Sequence, residues 1–305
     1  MDSPPNAEDF AAFLTIARHL RQLGLSSPAV LAADAAAGLA LIEDFGEDTF
    51  TRLLARGRNE TELYDLATDT LAALHGATGA TAVNVPAYDE APLFEELRMF
   101  TRWYAPEVAP GLDVPAFEAD FLGHWHAALA EVAGRREVLV LRDYHVDNLM
   151  IVPGRTGIAA CGLLDFQDAL CGAAAYDLVS LTQDARRDIA PALEARLRAR
   201  YLAQRPALDR VAFTQDYWRL AAQRHTKILG NFLRLSRRDG KHGYLRHIPR
   251  VQRLLAGALL ESRLPQIRAL LDSALPGWAE LRPLFPSDQT ERDPMTEPAP
   301  AATLP

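Results

Sequence analysis

Val138-Leu-Val-Leu-Arg-Asp143-Tyr-His-Val-Asp-Asn148-Leu-Met-Ile-Val152, followed by Gly162-Leu-Leu-Asp165-Phe-Gln-Asp168, places two acids and an amide at the ends of short apolar runs. An apolar strand leads into Asp143, Asn148 comes five residues later, a hairpin follows, and Asp165 leaves the next apolar strand. No other Asp in the chain has an Asn five residues downstream. Taken singly, Asp and Asn at strand ends are ordinary turn residues. In combination with an apolar hairpin and Leu-Leu-Asp-Phe they are much rarer. A phosphoryl-transfer site needs a carboxylate to orient and deprotonate an attacking hydroxyl, and oxygen ligands for a Mg²⁺ ion bridging nucleotide phosphates. The pattern offers both. Further on, Asp177 in Ala175-Tyr-Asp-Leu-Val-Ser-Leu181 suits a helix cap that would also brace the loop below it.

Outward from this centre the texture changes on both sides. Upstream, Phe10, Phe13, Leu14, Ala17 and Leu20 recur at helical spacing, so a helix is predicted over about 7–23, with Asn6 as its cap and Gly24 as its stop. Val30-Leu31 and Leu39 to Phe45 read as short strands around a turn at Asp34 to Gly38. Helices are expected at about 47–56, 60–76, 91–105 and 116–133. The central β-type runs are 138–141, 149–152 and 158–164, and beyond Ala174 the chain is helical again to about Leu284. The last twenty residues, rich in Pro, Thr and acids, are expected to be a disordered tail.

The 32 basic and 40 acidic residues give a net charge of −8, which disfavours a duplex nucleic-acid binder that lives on phosphate neutralisation. Small anions bridged by a metal remain open as ligands. Cys161 and Cys171 are the only cysteines, too few for a disulfide framework, and read as small core residues. No apolar run reaches the about 20 residues that cross a bilayer, and no signal-peptide layout is visible, so the expected address is the cytoplasm, with no membrane partner. Only Lys227 and Lys241 are lysines, so a mechanism needing an early lysine must find a substitute.

From about Leu39 to about Leu284 the chain resembles the kinase-like phosphotransferases that include aminoglycoside phosphotransferases and choline kinases. The resemblance implies an α+β, protein-kinase-like two-lobe fold, with ATP and Mg²⁺ as cofactors. It implies Asp143 as base, Asn148 and Asp165 as metal ligands, and Asp177 as the brace of the catalytic loop. One departure is Leu141, where that family commonly has a His two residues before the base. A closer likeness is to the anomeric N-acetylmuramate/N-acetylglucosamine kinases of cell-wall recycling. It rests on Leu141 to Asn148, on Leu164 to Leu170 with Ala175 to Arg186, and on Gln223 to Gly230 with Tyr244 to Arg250. The expected function is therefore ATP-dependent phosphorylation of an amino-sugar hydroxyl in peptidoglycan recycling. In such enzymes the later helical lobe lines the acceptor pocket, where Arg224, His225, Lys227 and Asn231 lie at near-helical spacing. Arg224, Lys227, Asn231 and His145 are the candidate sugar-binding residues. The same helical stripe is equally readable as a solvated face or as interhelical bonding.

The organisation expected is a partial N-lobe over 1–45, a helical C-lobe over 46–285 and the tail over 286–305. Leu41, Ile42, Glu43 and Asp44 form the expected hinge, whose backbone N–H and C=O groups would meet adenine between apolar side chains. A Gly-rich hairpin and a phosphate-pairing lysine are not visible, and without that lysine Glu8 or Asp9 has no assigned partner. We expect a mis-set start or trimmed chain in preference to a natural variant without a lid or a protein that has lost turnover. A chain without the lid would hold ATP loosely, transfer poorly and self-associate. Aminoglycoside, choline or homoserine as acceptor is the alternative among enzymes, and a nucleotide-binding or inert scaffold is the alternative outside them.

Overall fold

The computed structural model describes residues 1–2 and 8–282. The expected cap at Asn6 and the tail at 286–305 lie outside these residues, as do the side chains of Glu8 and Asp9. The chain opens with α1 (Glu8–Gln22), which buries Phe10, Phe13, Ala17 and Leu20 on the face the spacing predicts. The antiparallel pair β1 (Val30–Asp34) and β2 (Leu39–Ile42) follows, the second strand ending three residues before the expected Phe45. Gly46 N–H, bonded to Asp44 Oδ1 at 2.7 Å, turns the chain there instead.

The helices α2 (Phe50–Ala55) and α3 (Glu60–Gly76) match the expected spans, the latter capped by Asn59 and carrying Glu60 and Glu62 in its first turn. The helix expected to end near 105 is continuous to Val108, but in three parts: α4 (Glu90–Met99), a π-helical turn (Phe100–Tyr104) and α5 (Ala105–Val108). Next comes α6 (Val114–Leu129), begun by an Asp113 cap and Pro115.

The central segment forms two further antiparallel pairs: β3 (Val138–Val140) with β6 (Leu170–Gly172), and the hairpin of β4 (Leu149–Ile151) with β5 (Cys161–Leu163). The run expected as one strand over 158–164 begins instead as a 3₁₀ turn at Gly157–Ala160. Strand β6 escaped the sequence reading because three residues show no periodicity. The remaining helices are α7 (Tyr176–Thr182), α8 (Pro191–Gln204), α9 (Arg210–Arg237), α10 (Ile248–Glu261) and α11 (Pro265–Ala274).

One apolar core runs from Phe10 to Trp278, and Phe13 of α1 stacks on Phe166 beside the central loops with ring centroids 5.3 Å apart. Both cysteines are buried in this core with free thiols. The axis of the helical lobe is α9, which crosses α4 so closely that a Cβ on Gly230 would lie 2.2 Å from the Met99 carbonyl. Only glycine fits there. A second glycine, Gly162 in β5, makes room for the ring of Phe45, which a Cβ would meet at 2.8 Å. No helix among the described residues is long and apolar enough to cross a membrane.

Candidate active site

The loop from Leu141 to Asn148 is suspended from its surroundings by charge-assisted hydrogen bonds. Asp177, fully buried in the first turn of α7, accepts from Leu141 N–H at 2.6 Å through Oδ2 and from Arg142 N–H at 2.9 Å through Oδ1. His75 of α3 stands 3.8 Å from the same carboxylate and takes its other ring contact at Tyr201 Oη, 2.7 Å away. Burial holds His75 below the ordinary imidazole range, against the pull of Asp177. Leu141 is an apolar core residue, and the loop hangs on its backbone N–H. Tyr144 donates its hydroxyl to Ala67 O at 2.8 Å, and Thr51 Oγ1 donates to Asp147, tying the loop to α3 and α2.

Two non-glycine residues in this region have left-handed backbones: Arg142 at φ 69° and Asp165 at φ 56°. Each conformation costs on the order of 1–2 kcal/mol for an L-residue. For Arg142 the Asp177 bond offsets this cost. For Asp165 two side-chain amides do so, Gln167 Nε2 on Oδ1 at 2.8 Å and Asn148 Nδ2 on Oδ2 at 3.1 Å. Asn148 Nδ2 also donates to Asp143 O at 3.0 Å, while Leu164 N–H donates to Asn148 O at 3.0 Å. One amide therefore joins Asp143, Asn148 and Asp165 into a single unit. Asn148 Oδ1 accepts no hydrogen bond among the described residues, and Asp165 is exposed.

Asp143 is 40% exposed at its side chain, with Arg224 Nη2 3.6 Å from Oδ1. Burial alone would raise its pKa, but Arg224, then Lys227, His145 and Arg142 outweigh it and hold the carboxyl at about 2. The Arg224 guanidinium is buried, lies over the Tyr176 ring at 5.3 Å, and donates to Arg142 O at 3.0 Å and Tyr176 Oη at 3.1 Å. Lys227, one turn further along α9, donates to Glu96 Oε1 at 2.7 Å.

The rest of the expected polar stripe diverges. His225 is buried on another face of α9 against Gln183 Oε1 at 2.7 Å, with burial and then Arg224 holding it down at about 3. Asn231 Oδ1 accepts from Arg234 Nε and Nη2 within its own helix, at 3.1 and 2.8 Å, and makes no hydrogen bond to Asp143. His145 is buried beside the loop with Nε2 3.4 Å from Arg186 Nη1, and burial followed by Arg186 keeps its imidazole below the usual range.

At the expected hinge, Leu41 is 63% exposed and Glu43 acts as a clamp, its carboxylate accepting from Ala29 N–H at 3.1 Å and pairing with Arg21 and Arg155. Glu43 N–H is bonded to Ala29 O at 2.8 Å. Ile42 closes β2, and Asp44 begins the turn described above.

Sequence reasoning missed Glu96, which the structure buries at the centre of this cluster. Its carboxylate accepts from Arg142 Nη2 (2.6 Å), Lys227 Nζ (2.7 Å), Tyr88 Oη (2.6 Å) and Gln223 Nε2 (2.9 Å). The signal was available: Leu93, Leu97 and Phe100 form the apolar stripe of this helix, and Glu96 stands inside it. An acid on a buried stripe demands cationic partners.

Asn148 and Asp165, linked by one amide at a hairpin, with an ionised Asp beside buried cations, suit the moving of a phosphoryl group, and the chain belongs to the phosphotransferase enzyme family, whose model matches residues 1–214. The N-acetylmuramate/N-acetylglucosamine kinase of Caulobacter vibrioides is 40% identical over 276 residues, which cover 87% of this chain and 75% of that one. The enzyme of the same name from Pseudomonas aeruginosa is 35% identical, covering 92% and 82%, and that from Neisseria meningitidis 33%, covering 82% and 75%.

Among solved structures, a Plasmodium vivax ethanolamine kinase superposes with a TM-score of 0.57 at 10% identity, covering 88% of this chain and 76% of that one. An ADP-bound aminoglycoside phosphotransferase does so with 0.53 at 15%, covering 83% of each. These two likenesses carry the kinase-like fold.

Proposed function

We propose that this chain is a cytoplasmic kinase of cell-wall recycling that transfers the γ-phosphoryl group of ATP to the anomeric hydroxyl of N-acetylmuramate or N-acetylglucosamine. The observation that carries this reading is the amide-linked unit of Asp143, Asn148 and Asp165, in a chain 40% identical to a kinase named for those two sugars. Asp143 is ionised throughout the physiological range, so it accepts a hydrogen bond from the acceptor hydroxyl and aims the oxygen at phosphorus. With a carboxyl pKa of about 2 it is a weak base, and it takes the proton late, as the new P–O bond forms.

The Asp165 carboxylate and the uncommitted Asn148 Oδ1 are hard oxygen donors, which suits Mg²⁺ held partly by protein and partly by phosphates. Bound there, the ion would neutralise charge on the nucleotide phosphates. Asp177 keeps the loop in the conformation in which the Asn148 amide donates to the Asp143 backbone carbonyl. Leu41 to Asp44 stand as the proposed adenine edge.

The test is phosphoryl transfer from ATP to N-acetylmuramate, N-acetylglucosamine, kanamycin, choline and homoserine, with the position of the phosphate read by ³¹P–¹³C coupling. Transfer to C1 of either amino sugar is the expected result. Transfer to kanamycin, choline or homoserine, with none to the sugars, would overturn the substrate class while leaving the phosphotransferase chemistry in place.

A further inference from the structure

Around Asp143 the charges are shared unevenly. Arg142 and Lys227 both bind one carboxylate, Glu96, while Arg224 faces Asp143 and the Asp177 carboxylate is taken up by loop backbone N–H groups. The other polar groups that face Glu96 and Lys227 are Tyr88 before α4, Tyr176 of α7 and Gln223 of α9, all formally neutral. A buried ammonium without a counter-ion loses its proton in preference to staying charged. Glu96 is the only carboxylate within hydrogen-bond distance of Lys227 among the described residues, and it binds Arg142 through the same oxygen.

We propose that Glu96 is a positioning residue of the phosphoryl-transfer site: it holds Lys227 charged and in register with Arg142 beside Asp143, so that the helical lobe presents a fixed cation to the anionic group arriving there. The inference rests on the phosphoryl-transfer reading and goes beyond it by assigning a source of positive charge in a chain whose only lysines are Lys227 and Lys241. A cation fixed before the reaction stabilises charge on the transferred group without reorganisation. Burial works against the charge on Lys227, and Glu96, followed by Tyr176, outweighs it and raises its pKa. Glu96 itself is held down at about 2 against burial by Lys227 and then Arg142. The two groups keep each other ionised.

The scarcity of lysine makes the test direct. In protein labelled with [¹³Cε]lysine, two side-chain signals are expected, and Lys241→Arg assigns them. The Lys227 signal should keep its charged position to about pH 10 in the natural sequence and titrate at least about two units lower in Glu96→Gln. This readout needs no sugar, so it stands or falls separately from the substrate assignment.

Turnover of Glu96→Gln, measured with whichever hydroxyl acceptor is active, should be lowered about tenfold more at about pH 9.5 than at about pH 6.5. Adding Lys227→Arg, whose guanidinium stays charged, should flatten that difference. A Lys227 signal that remains charged in Glu96→Gln, or a loss equal at both pH values without rescue, would overturn the proposal. Should Glu96→Gln not fold, Lys227→Gln decides: a drop in kcat of about tenfold or more with an unaltered ATP KM supports the role, and an unchanged kcat refutes it.

Discussion

The two halves of the site are built in opposite ways. On the side proposed to receive the acceptor the charged groups are paired: Asp143 with Arg224, Lys227 and Arg142 with Glu96, and the loop backbone with Asp177. These partners come from α4, α7 and α9, which belong to the main core. On the side proposed to hold the metal, Asp165 is exposed, bonded among the described residues only by the amides of Gln167 and Asn148, and paired there with no cation. Its hairpin puts Leu149, Cys161 and Leu163 into the main core and Met150 and Val152 into a small cluster with Phe45. The acceptor side is therefore organised before any ligand arrives, whereas a carboxylate held by amides keeps its charge for a cation that comes with the nucleotide. Substitutions on the first side should alter folding and chemistry together. Those on the second should alter nucleotide binding with little effect on folding.

The largest effect is expected at Asp143. Asp143→Asn removes the proposed base and should lower turnover by roughly 10² to 10⁴, the usual range for a general base. Steady-state kinetics with the preferred sugar checks this, and a loss under tenfold would move the base elsewhere.

Next comes the brace. Asp177→Ala leaves two buried backbone N–H groups without acceptors and Arg142 in a left-handed conformation with nothing to offset it. It should destabilise the fold by about 2–4 kcal/mol in urea denaturation and lower turnover in the part that remains folded. An unchanged urea midpoint would show that the loop is held by something other than Asp177.

The smallest effect concerns acid. The folded-state pKa of Glu96, about 2, lies below its ordinary value, so its contribution to stability is complete above about pH 4.3 and is lost as pH falls through the folded value. The thermal midpoint should decline between about pH 4 and pH 2, and less steeply in Glu96→Gln. Parallel curves for the two proteins would contradict the pairing.

The acid-bearing loops were legible in the sequence because their chemistry is local: Asp143, Asn148 and Asp165 lie within 23 residues, and the strand before each polar group can be read directly. The cationic half was legible only as residue types. Spacing along α9 groups Arg224, Lys227 and Asn231, but their partners stand 82 residues away for Arg142 and 131 for Glu96, and Asn231 turns back to Arg234. Helical spacing names a stripe and says nothing of what packs against it. His225 shows the same limit, since one step along the helix rotates it into a different neighbourhood at Gln183. The π-helical turn at Phe100–Tyr104 could not be read either: it begins where Gly230 of α9 comes close, a contact between residues far apart in the sequence.

The division between the two halves is tested most directly by calorimetric titration of Mg·ATP into Asp143→Asn and Asp165→Asn, with thermal unfolding of both. Asp143→Asn should bind the nucleotide nearly as the natural sequence does, and Asp165→Asn about 10- to 100-fold more weakly with an essentially unchanged melting temperature. Unaltered Mg·ATP affinity in Asp165→Asn, or an equal loss in both variants, would contradict the assignment of acceptor and metal sides.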